Sequence, residues 1–170
     1  MSIQEHLQAF VTVISLVNPA ICAAMFSRIE AGQSPRTQFL DATKASIAIL
    51  IILILAALFG IQVLNQFGVS LNAFQVAGGG VLAWMGFGML KGDSAKAQTS
   101  QDNQQKPSLT PLILFAASPG TITGVITIAV NHSRTRLPLT AIVAVCVTML
   151  LTWPVMIAVT RLGGHQGPGF

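Results

Sequence analysis

From Ala45 to Leu90 the chain carries no charged side chain. The run is interrupted by a polar turn, Asn65-Gln66-Phe67-Gly68-Val69-Ser70. A water-soluble helix pairs an apolar stripe with a polar face, so it cannot present such a surface. A bilayer-spanning helix needs about 20 apolar residues, and two of them joined by a tight turn account for the run. The chain therefore reads as an integral membrane protein. The function classes left open are transport, anchoring and intramembrane chemistry.

Composition agrees. Charged residues are 8% and hydrophobic residues 52% of the chain, against about 25% charged in soluble proteins. Its 170 residues suffice for five or six spans and no sizeable soluble domain. The net charge of +4 does not imply nucleic acid, because the nine Lys and Arg sit in short segments flanking spans, beside lipid headgroups. Cys22 and Cys146 fall within predicted spans without a metal-ligand spacing, and read as small packing residues. His6, His132 and His165 are scattered near interfaces. No catalytic constellation is visible, so neither an enzyme nor a cofactor or metal site is expected. The N-terminus has Glu5 and His6 in place of a basic leader, which predicts that the first span stays in the membrane.

The pattern predicts an all-α, polytopic membrane helix bundle of five spans, at about 7–26, 45–64, 71–90, 109–130 and 137–160. Residues 1–92 form a first three-helix unit, 93–108 a flexible linker rich in Ser, Gln, Asp and Lys, 109–162 a second, two-span unit and 163–170 a tail. Seven of the nine basic residues (Arg28, Arg36, Lys44, Lys91, Lys96, Lys106, Arg161) share one side, and Arg134 and Arg136 the other. The positive-inside rule puts the seven in the cytoplasm, with the linker, and the N-terminus outside. No acidic or basic residue lies in the central part of a span, which argues against a conventional proton relay.

The first and fourth spans share an interruption. Asn18-Pro19-Ala20 and Ser118-Pro119-Gly120 each lie near the middle of a span, 100 residues apart. Proline removes a backbone donor, clashes with the preceding turn and pushes the residue before it away from helical geometry. Freed backbone groups at that depth must face protein or a watery cavity. Transporters bind substrate at such breaks, although ordinary proline kinks are the plainer account. The candidate substrate-binding residues are Asn18, Pro19, Ala20, Ser118, Pro119, Gly120, Thr121 and Thr123. Three spans before the second break put the two units in opposite orientations, an inverted repeat. Gly78-Gly79-Gly80, with Gly86 and Gly88, reads as close helix packing rather than a phosphate loop, since no lysine follows. Asn72 and Gln75 cap the third span or face a cavity.

Three segments resemble the MarC (UPF0056-type) family of inner-membrane proteins, related to SnatA-type neutral amino acid transporters. They are Val17-Asn18-Pro19-Ala20, the stretch from Ser70 to Gly79, and Ala117-Ser118-Pro119-Gly120-Thr121-Ile122-Thr123. The resemblance covers roughly residues 5 to 162. It implies a 3+3 inverted repeat, the cell inner membrane and movement of small neutral amino acids. The family usually has Gly where Ala20 stands. It also has a sixth span, which the tail from Gly163 to Phe170 cannot form, so the expectation is a chain cut before that span. The face left open implies self-association. The alternative is a non-transporting membrane protein, either a truncated remnant or an interaction subunit.

Overall fold

The computed structural model describes residues 3–90, 108–131 and 138–163. These form helices and, among the described residues, no strand. In chain order they are α1 (Ile3–Val17), α2 (Pro19–Ile29), α3 (Pro35–Gln66), α4 (Leu71–Leu90), α5 (Thr110–Ala116), α6 (Pro119–Asn131) and α7 (Leu139–Gly163). Most of the expected linker, the tail beyond Gly163, and the basic residues Lys91, Lys96, Lys106, Arg134 and Arg136 lie outside the described residues.

Four helical stretches among the described residues are long and apolar enough to cross a bilayer: Ile3–Ile29, Pro35–Gln66, Thr110–Asn131 and Leu139–Leu162. The third expected span, α4, also has the length, 20 residues, and carries no charged side chain. The largest difference from the sequence reading is α3, which starts ten residues before Ala45. Charge marks where a chain leaves lipid, but caps mark where a helix begins. Here Ser34 accepts the Thr37 N–H at 3.2 Å, and Pro35 occupies the first helical position. At about 1.5 Å per residue, the 32 residues of α3 span about 48 Å, well beyond a hydrocarbon core of about 30 Å. The turns carrying Arg36, Asp41 and Lys44 therefore extend past it.

Along α3, Ala42, Ala45, Ile49, Leu53, Ala57, Gly60 and Leu64 are buried at three- and four-residue spacing. On the other side Ile47, Ile51, Leu55, Phe59 and Val63 recur every four residues and stay about half exposed. That second stripe is the lipid face. Helix α7 packs on α1, α2, α3 and α6. Its buried face repeats every four residues: Thr140, Ala144, Thr148, Thr152, Met156, Thr160. Small residues let neighbouring helices approach closely. The Trp153 indole donates to Thr43 Oγ1 at 3.1 Å and meets Phe39 edge-on, fixing α7 against α3 near its charged end.

The packing carries a repeat of the two halves. Exchanging the halves turns α1, α2 and α3 into α5, α6 and α7. Under that exchange the α2–α7 contact becomes α6–α3, α1–α7 becomes α5–α3, and α1–α6 becomes α5–α2. All of these contacts are present. The α3–α7 and α1–α5 contacts map onto themselves. The contacts of α6 with α7 and of α1 with α2 are fuller than their counterparts, and α4 rests on α6. The two units are therefore interleaved, not laid side by side.

Candidate functional site

The two breaks are built alike. At the first, Asn18 takes the left-handed conformation (φ 52°), which few residues other than Asn and Gly tolerate. Its Oδ1 accepts the Ile21 N–H at 3.3 Å, and its carbonyl accepts the Cys22 N–H at 3.0 Å. Cys22 Sγ reaches back to the Val17 carbonyl at 3.2 Å, giving a freed acceptor a partner. At the second, Ser118 Oγ accepts the Thr121 N–H at 3.3 Å and shares a hydrogen bond with Thr121 Oγ1 at 3.1 Å, while its carbonyl accepts the Ile122 N–H at 2.9 Å. Each break is thus a capped restart: a polar N-cap followed by proline at the first helical position. Proline has no N–H and the cap takes that of the third residue. This leaves Ala20 N–H and Gly120 N–H as the first-turn donors without an acceptor among the described residues.

A cavity of about 520 Å³ lies among α1, α4 and α6. Helix α1 contributes Gln8, Ala9, Thr12 and Leu16. Helix α4 contributes Gln75, Gly78, Gly79 and Leu82, and α6 contributes Gly120, Thr123, Gly124, Thr127, Ile128 and Asn131. None of these side chains is charged. The wall between α4 and α6 is fixed by register. Gln75 Nε2 donates to Thr127 Oγ1 at 3.1 Å, Gly78 lies against the Thr123 side chain, and Leu82 lies against Gly120. A Cβ at Gly78 or Gly120 would overlap those neighbours. Thr123 donates its hydroxyl to the Pro119 carbonyl at 2.7 Å, one turn back along α6. The cavity runs from Gln8, Gln75 and Asn131, near helix ends, down to Leu16, Leu82 and Gly120 beside the breaks.

Of the eight residues singled out from sequence, Gly120 and Thr123 line this cavity. Ser118 and Thr121 are buried and occupied with each other. Asn18 and Pro19 are half-buried, Ala20 and Pro119 are exposed, and none of these four lines the cavity. The first break reaches it through Leu16, two residues upstream. Gln8, Thr12, Thr127 and Asn131 escaped the sequence reading. Their signal was polar spacing of four residues on otherwise apolar helices: Gln8 and Thr12, then Thr123, Thr127 and Asn131.

The sequence pattern of the MarC family of integral membrane proteins matches residues 3–166. The chain belongs to the MarC family. It is 33% identical over 132 residues to a UPF0056 membrane protein of Methanocaldococcus jannaschii, covering 72% of this chain and 63% of the relative. A UPF0056 membrane protein of Buchnera aphidicola subsp. Schizaphis graminum is 31% identical over 131 residues, covering 75% and 62%. The UPF0056 inner membrane protein MarC of Escherichia coli O1:K1 / APEC is 30% identical over 130 residues, covering 70% and 59%. The MarC-family chain described here thus spans about three-fifths of the length of these relatives. No solved structure matches it.

Proposed function

We propose that this MarC-family protein moves small, uncharged polar solutes across the inner membrane, with small neutral amino acids as the leading class. The observation that carries the reading is the cavity itself: amides and hydroxyls set in an otherwise apolar lining, free of charge, and ending at a half-helix N-terminus. Its volume falls within the usual range for small-molecule sites, about 300–1,000 Å³. A neutral amino acid carries a carboxylate, and helix N-termini favour anionic groups. Gly120 N–H, at the start of α6 and on the cavity lining, is the donor available for it. Gln75, Thr127 and Asn131 offer donors and acceptors for the rest of a polar solute. A charged substrate meets no opposite charge here.

The test is flux in proteoliposomes for a panel of small neutral, acidic and basic amino acids. Uptake of the neutral class, weakened by roughly 1–3 kcal/mol in Gln75→Leu, is the expected result, because that change leaves Thr127 without its partner. Flux no greater than in empty vesicles for every solute removes the reading. The proposed orientation has the N-terminus outside and residues 93–108 in the cytoplasm. Ser100→Cys in a cysteine-free background is then protected from an impermeant thiol reagent in intact cells; ready labelling reverses the orientation.

A further inference from the structure

We infer that Leu16 and Leu82 are two halves of a gate that closes the floor of the cavity by seating in a notch made of Gly120 and Gly124. Its purpose rests on the transport reading above, but its test does not. Gly120 and Gly124 are one turn apart, so they share a face of α6, and both line the cavity. A Cβ built at Gly120 would overlap the Leu82 side chain, and one at Gly124 would overlap the end of Leu16. Two leucines from different helices, α1 and α4, therefore converge on a third helix at the positions where that helix has no side chain. Above them Gln8, Thr12, Gln75, Thr123, Thr127 and Asn131 put polar groups on the lining; the two leucines themselves are apolar. A hydrophobic constriction of this kind excludes water and polar solutes without any bond having to break.

Both halves of the device sit beside a break. Leu16 lies two residues before Asn18, whose φ of 52° ends α1. Gly120 lies two residues after Ser118, the cap that restarts α6. Backbone rotation at either cap changes the angle between the half-helices and withdraws Leu16 from Gly124. Glycine offers nothing that interlocks, so the leucine slides out without a steric barrier. On this account the proline breaks act chiefly as hinges of the gate.

The experiment measures thiol reactivity and needs no substrate. In a Cys22→Ser/Cys146→Ser background, single cysteines are placed at Thr12, on the cavity wall, and at Ala117, buried on the other side of the Ser118-Pro119 break. Open membranes are treated with a small cationic methanethiosulfonate. Thr12→Cys should react quickly and Ala117→Cys slowly. Adding L16A/L82A should raise the rate at Ala117→Cys at least tenfold, and L16M/L82M should restore protection. If the double alanine variant does not insert, L16A and L82A singly are read the same way, each with at least a threefold rise. An Ala117→Cys rate unchanged by shortening the leucines, or already equal to that of Thr12→Cys, overturns the gate. Absence of solute flux together with the expected thiol rates removes the transport reading and leaves the gate standing.

Discussion

Replacing Gly78 by alanine inserts a methyl group between α4 and α6. The new Cβ would lie 2.7 Å from Thr123 Cβ and 2.8 Å from Thr123 Cγ2, where ordinary contact begins at 3.4 Å. Thr123 Cβ is anchored to the backbone and cannot rotate away, so the helices must separate by roughly 0.7 Å. Overpacking of this kind costs about 1–3 kcal/mol. Alanine also improves on glycine as a helix former by up to about 1 kcal/mol, which would mask part of the cost. Gly79 supplies the control. It is the next residue on the same helix, and a Cβ there meets nothing within 4 Å. Gly79→Ala gains the propensity and pays no contact, so the difference between the two variants isolates the helix contact at about 1–3 kcal/mol. Reversible unfolding in mixed micelles measures it. Thr123→Ala should rescue Gly78→Ala only in part, since the Thr123 Cβ remains. A Gly78→Ala protein as stable as Gly79→Ala refutes the close approach of α4 and α6, and with it the cavity wall.

Two further outcomes concern the cap and a buried acid. Asn18→Ala should cost about 1–2 kcal/mol, from a lost cap and a left-handed residue, whereas Asn18→Gly, which tolerates that φ, should cost only a few tenths of a kcal/mol; equal losses in thermal unfolding would show that the conformation does not matter. Glu30, just past the end of α2, is buried and its Oε2 has no hydrogen-bond partner among the described residues. Burial, helped by Asp41 and opposed by Lys44, raises its carboxyl above the usual range. A raised carboxyl contributes stability below its unfolded value and loses it as pH rises through the folded value. Glu30→Gln should therefore be at least as stable as the parent at pH 7–8, with the advantage disappearing near pH 4; a variant less stable than the parent at pH 8 contradicts this.

What the sequence made legible was the part written in single residues. Pro19 and Pro119 announce breaks because proline has a fixed φ and no N–H wherever it stands. The absence of charge from Ala45 to Leu90 announces lipid. The cavity is written in relations instead. Gln75 and Thr127 are 52 positions apart and matter only because α4 and α6 meet in one register. The start of α3 was obscured for a different reason: Arg36, Asp41 and Lys44 look like a loop, while Ser34 and Pro35 decide the helix end. Asn18 and Ser118 were legible as special positions, but the use of their side chains was not. A polar residue before proline can serve a solute or its own helix, and here both side chains accept an N–H from the turn they start.

The 100-residue offset between the breaks lets the halves be compared position by position. Gly120 and Gly124 correspond to Ala20 and Ala24, and Leu16 corresponds to Ala116. A leucine and two glycines face each other at one end of the exchange; three alanines stand at the other. Pseudo-symmetric packing therefore does not make the two ends equivalent. Leucine seats on glycine at one end only, so the repeat is chemically one-sided: the exchange that carries helix onto helix does not carry this contact with it.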